Sequence, residues 1–110
     1  MDETHRAGNE LLQIARDLIE GYGWTQGVLK DDTGFCAQGA LLEACLEMGE
    51  RRRFDSESRE SAFRAAWDAL NAEASFKGFK DVLDWNDAPH RTKDEVLDLL
   101  ATRAGEKRDE

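Results

Sequence analysis

The chain has 110 residues, 24 of them Asp or Glu against 15 Lys or Arg, for a formal net charge of −9. That charge opposes the counterion release on which nonspecific nucleic-acid binding rests, and the length supports one hydrophobic core. No apolar run approaches the roughly 20 residues of a membrane span, and Met1–Arg6 lacks the basic start and apolar stretch of a signal peptide, so a cytoplasmic protein without direct nucleic-acid or membrane contact is expected.

Leu11, Leu12, Ile14, Ala15, Leu18 and Ile19 recur at helical spacing between charged positions, which predicts a first helix over roughly residues 5 to 20 with Gly21 as its stop. Tyr22 to Val28 has two glycines around Trp24 and no helical period, so it reads as an ordered loop, with room for a short extended segment. Lys30 to Gly34 reads as a turn into a second helix over about residues 35 to 48, with Ala37, Leu41, Ala44, Cys45 and Met48 on its apolar side. Gly39 and Ala40 inside that helix lower its propensity, which points to close approach of another backbone, either a helix or the Trp24 loop.

Beyond Gly49 a charged connection reaches Asp55-Ser56, a cap for a third helix whose inward stripe reads Phe63, Ala66, Trp67 and Leu70. Phe76, Phe79, Val82 and Leu83 suggest a short fourth helix ending near Trp85, before a break at Asn86-Asp87-Ala88-Pro89. Thr92 to Glu95 has the form of a capping box opening a last helix with Val96, Leu97, Leu99 and Leu100 buried. The expected fold is all-α: a compact bundle of four to five short helices with an ordered Trp-containing loop between the first two. It forms one domain over residues 1–110, with an ordered core at about 5–104 and a polar tail at 105–110. Arg51-Arg52-Arg53 reads as a solvated connection. Cys36 and Cys45, placed on one helix about 13 Å apart along its axis, do not pair, in keeping with a reduced compartment.

Taken together, Gly23-Trp24-Thr25-Gln26-Gly27, Asp32 to Leu41, Trp85-Asn86-Asp87 and Arg91 to Leu97 resemble an uncharacterised family of actinobacterial and phage proteins, over most of residues 8 to 104. The resemblance implies an origin in such a host or phage, and brings no catalytic residues with it. The segment from Gly49 to Arg59 and the polar tail depart from the family pattern.

Cys36, in the first turn of the second helix, would feel the positive end of the helix dipole, which lowers a thiol's pKa. With His90 as base and Asn86 or Asp87 as orienter, a triad can be written. The small residues after Cys36 argue instead for a buried, inert thiol. Two histidines without Cys-x-x-Cys or His-Glu-x-x-His give no metal site, and no cofactor is expected. Trp24, Gln26, Trp85, Asn86, Asp87 and Arg91 combine aromatic faces with amides, a carboxylate and a guanidinium, the parts of a pocket for a nucleotide-like ligand. The alternative is structural: indoles closing the core, an Asx turn at Asn86-Asp87, and Arg91 paired with Asp32 or Asp87. The expected function is therefore non-enzymatic binding of a host protein. A small-ligand binder or sequestering protein, also in the form of a homodimer, is the second reading, and a Cys36-dependent enzyme the third.

Overall fold

Helix α1 runs Glu3–Tyr22, two residues beyond the predicted bounds at each end. It passes through Gly21 and stops at Gly23, which takes φ +118° while its N–H bonds the Ile19 carbonyl at 2.8 Å; such a left-handed residue is the usual helix terminator. The computed structural model describes the backbone of residues 3–50 and 56–103 and the side-chain surroundings of residues 6–49 and 57–101. Arg51 to Asp55 and the tail from residue 104 lie outside the described residues, so the basic cluster, the cap at Asp55 and the polar tail do too.

The loop after α1 crosses a small hairpin. Strands β1 (Lys30–Asp31) and β2 (Gly34–Phe35) pair antiparallel about a turn at Asp32 and Thr33, and Trp24 bridges Phe35 in parallel on the other side. The extended segment allowed by the sequence is thus one bridge residue. Helix α2 spans Ala37–Glu50, starting later than the sequence suggests because Phe35 is held in β2 and Cys36 sits ahead of the first turn. Ala37, Ala40, Leu41, Ala44 and Met48 are fully buried and Cys45 packs at the core's edge. Gly39 is the close-approach residue: a Cβ there would overlap the Leu29 carbonyl oxygen and lie 2.8 Å from its carbon. The neighbouring backbone is therefore the loop that follows Trp24.

Helix α3 extends over Ser56–Phe76, further than expected. Its buried stripe is Ala62, Ala66, Leu70 and Ala74, rotated from the predicted one, and Phe63 and Trp67 flank it with their rings stacked 9° from parallel at 6.2 Å. Alanines let the helix lie against α1, where Gly8 approaches the Ala62 carbonyl and the Ala65 side chain; large rings at the seam would hold the axes apart. Phe76 closes α3 with 87% of its surface exposed and takes no part in the next helix.

That helix, α4, is a single short piece, Val82–Asn86, capped by Asp81, whose carboxylate accepts the Asp84 N–H. The Val82 N–H is taken by Asn71 of α3 at 2.9 Å, so the first turn of this short element is tied twice by side chains. Helix α5 spans Lys93–Arg103 and opens with the predicted capping box: the Glu95 N–H donates to the Thr92 hydroxyl at 3.2 Å, and the Thr92 N–H to the Glu95 carboxylate at 3.0 Å. That second bond holds the Glu95 carboxyl below its ordinary pKa, aided by Arg91. Helix α1 lies at the centre, against α2, α3 and α5. The five described helices with one minimal hairpin make an all-α bundle, and among the described residues no helix is long and apolar enough to cross a membrane.

Candidate functional site

Three of the four motif segments meet at Asn86, the fully buried last residue of α4. Its Oδ1 accepts from the Trp24 indole N–H at 2.9 Å and from the Ala37 backbone N–H, at the start of α2, at 3.1 Å. Its Nδ2 donates to the Thr25 carbonyl at 3.3 Å and to the Asp87 carboxylate at 2.9 Å. An amide side chain offers two acceptor and two donor positions, and all are filled. The orientation is fixed by this arrangement, since a flipped amide would set donors against donors.

Around that amide further groups of the loop and the hairpin close a polar shell. Gln26 donates to the Asn86 and Ala88 carbonyls at 2.9 and 3.0 Å, and the Gly27 N–H reaches the Asp87 carboxylate at 3.0 Å. Asp31 receives the Thr25 hydroxyl and the N–H groups of Thr33 and Gly34, which hold its carboxyl below the usual range. The loop, the hairpin, the start of α2 and the end of α4 are thereby joined through side chains, in a stretch of chain with little regular backbone pairing of its own.

Of the six residues with pocket chemistry, Trp24, Gln26, Asn86 and Asp87 are brought together as partners of one another. Trp85 and Arg91 stand apart from them. The Arg91 guanidinium lies 4.0 Å from the Trp85 ring centroid and 5.3 Å from that of Phe79, and its Nε donates to the Trp85 carbonyl at 2.8 Å. Its ion pair is with Glu95 at 3.3 Å, one turn along α5, and not with Asp32 or Asp87 as the sequence suggested. The Asp87 carboxylate is taken instead by the Gly27 N–H and the Asn86 amide. Trp85 and Arg91 line a hollow of about 300 Å³ together with Glu73, Lys77, Glu95 and Asp98, although only 3% of Trp85 is exposed.

The Cys36 thiol sits just before α2, 3% exposed, and its sulfur accepts the Gly39 N–H at 3.4 Å. Burial pushes its pKa above the ordinary value, and the N–H groups of Gly39 and Gln38 only partly counter this. The helix-dipole expectation of a lowered pKa is thus corrected: desolvation outweighs the dipole. His90 stands exposed on the turn after α4 with φ +70°, and the Asn86 amide is turned towards Trp24, Ala37, Thr25 and Asp87. Iodoacetamide near neutral pH should therefore label Cys36 more slowly in the native protein than in urea, as followed by peptide mass mapping; faster native labelling would reinstate a nucleophilic thiol. Both cysteines are free, and no group of metal-ligating side chains occurs among the described residues.

Asn71 contributes to this architecture without having stood out in the sequence, and Thr25, quoted within a motif, was not among the candidate site residues. Asn71 carried only the faint signal of a cap-forming side chain inside a helix, next to the core residue Leu70.

A model for a family of unknown function, DUF6197, matches residues 4–106 of the chain. No curated protein and no solved structure matches it.

Proposed function

The chain belongs to this family of unknown function, DUF6197, and from that premise we propose that it acts by binding a host protein, in the cytoplasm and in an actinobacterial or phage setting, and not by catalysis. The observation that carries this reading is a row of exposed apolar side chains beside the Asn86 cluster. Leu42 and Leu46 are 39% and 60% exposed on α2, and Val28 and Leu29 are 49% and 46% exposed on the loop packed against Gly39. Residues 39, 42 and 46 fall on one side of a helix, so the loop residues and the two leucines continue one another along its outer face. Grouped apolar exposure of this kind marks interaction sites more often than scattered single residues do. The motif polar groups, by contrast, are engaged with one another.

The test is a pull-down from host extract with the wild-type chain and with L42D/L46D, whose circular dichroism and melting temperature should match the wild type. A stoichiometric partner retained by the wild type and lost by the variant is expected. No such partner, or a captured band that is the chain itself, would overturn the reading. The second reading, a nucleotide-like ligand held near Trp24, Trp85 and Arg91, draws its support from the hollow beside Arg91; it predicts that nucleotide probes change tryptophan emission and raise the melting temperature.

A further inference from the structure

We infer that the hollow between the loop after α1, the start of α2 and α4 seats a tryptophan of the docking partner, the indole N–H donating to Asp87; this rests on the host-binding reading above. The hollow measures about 240 Å³, and Val28, Leu29 and Leu83 line it together with Cys36, Gln38 and Asp87, among others. Val28 and Leu29 are exposed, and Leu83 is half-buried but stands outside the described core cluster. These three apolar side chains thus border the hollow without being used by the core. The Cys36 thiol, buried to 3% exposure, is the most deeply set of the lining groups and closes the inner end. A hollow of this size falls below the roughly 300–1,000 Å³ of a site for a drug-sized molecule, and it takes one large side chain.

Three features of the hollow select an indole. Its apolar walls make it a costly place for a charged head group, and a sulfur at the inner end makes favourable contact with an aromatic ring. The exposed Asp87 carboxylate accepts the Gly27 N–H and the Asn86 amide, both through Oδ1. That leaves the acceptor positions of Oδ2 to an incoming donor. A ring carrying a single N–H matches both the apolar interior and this acceptor, whereas a phenylalanine leaves the acceptor unused. Area then decides that the indole arrives on a polypeptide. A tryptophan buries about 150–250 Å², against roughly 800 Å² per partner in a stable interface, so the rest of the contact comes from flanking residues. Gln38 at the hollow and the exposed Leu42 and Leu46 follow one another at intervals of four residues on one side of α2, and the flanking residues run along that row.

The probes are N-acetyl-tryptophanamide, the same compound methylated on the indole nitrogen, and N-acetyl-phenylalaninamide. Each is titrated into the full chain and read from the methyl NMR signals of its valines and leucines. The tryptophan probe should shift Val28, Leu29 and Leu83 saturably and more than Leu42 and Leu46, and bind about tenfold tighter than either comparator. D87N keeps one oxygen for Gly27 and Asn86 but puts an amide donor where the open acceptor was, so it should cut that preference to about twofold or less. The methylated probe makes the same test on the wild-type chain, so the outcome does not depend on how the variant folds. Shifts spread evenly along the apolar row, or comparators that bind as tightly as the tryptophan probe, would overturn the inference. In the extract experiment, D87N should also weaken capture of the partner that L42D/L46D loses. If D87N captures that partner as well as the wild type does, only the tryptophan assignment falls. If the probes behave as expected and the extract yields no partner, the chemistry of the hollow stands and the host-binding reading falls.

Discussion

Replacing Asn86 with alanine should lower the stability of the chain by about 3–5 kcal/mol, which for a domain of this size is a fall in melting temperature on the order of 20 °C. The substitution removes four hydrogen bonds at once and leaves the Trp24 indole N–H, the first N–H of α2 and the Thr25 carbonyl without their partner. A buried polar group stripped of its partner costs about 1–3 kcal/mol, set against a total stability of about 5–15 kcal/mol for a small domain. Thermal and urea unfolding measure the loss directly. A change within about 1 kcal/mol would mean that water replaces the amide, and that the cluster is not what joins the motifs.

Asn86→Asp sharpens the test, since it keeps the shape and the acceptor oxygen but turns the donor into a carboxylate facing the Thr25 carbonyl and Asp87. Burial and both neighbours raise the folded-state pKa of the introduced acid above its unfolded value. The folded chain then binds the proton more tightly than the unfolded one, so the deficit is largest at neutral pH and shrinks as pH falls through that raised pKa. Urea midpoints measured against pH should show this recovery in the aspartate variant and not in the alanine variant.

Gly39→Ala is the second large loss, about 2–3 kcal/mol in urea denaturation. Two terms of opposite sign compete. Alanine in a helix interior gains about 1 kcal/mol over glycine, but the new methyl overlaps the Leu29 carbonyl, and overpacking against backbone costs more than that gain returns. The loop is poorly placed to retreat, because the same carbonyl accepts the Cys36 N–H at 3.0 Å. Gly21→Ala provides the control of opposite sign. Gly21 is helical with nothing within 4 Å of an added Cβ, so the propensity term acts alone and the chain should become more stable by up to about 1 kcal/mol. If both variants shift in the same direction, the close contact at Leu29 is not limiting.

The sequence showed its local features well and its long-range ones poorly. Helix α1 and the Thr92–Glu95 box were readable because their periodicity and capping lie within a few residues. Gly39 was readable as a point of close approach, since a glycine in a helix needs a reason, and its neighbour was narrowed to a helix or the Trp24 loop, of which the loop is the one observed. The inward side of α3 was misread because Ala62, Ala66 and Ala74 carry little hydrophobic signal, while Phe63 and Trp67 drew the stripe towards themselves. Most of the residues that join the loop to α4 had been singled out as a set. Their arrangement was hidden, because which group accepts and which donates depends on segments meeting from opposite halves of the chain. For Cys36 the small residues that follow it pointed to the burial observed, whereas the helix-dipole argument pointed the other way because the desolvation that raises the thiol's pKa comes from tertiary packing.

The contacts from Trp24 and Gln26 to Asn86 span 62 and 60 residues of chain, so they close only after α2 and α3 have folded back on α1. Closing so long a loop costs entropy before any hydrogen bond offsets it, and contacts of that separation form late on the path to the native state. The amide at position 86 then acts as a latch and not as a nucleus: its loss should leave the folding rate nearly unchanged and appear almost wholly as faster unfolding. The protein's lifetime in its folded form, more than the speed at which it is reached, is what this single buried side chain governs.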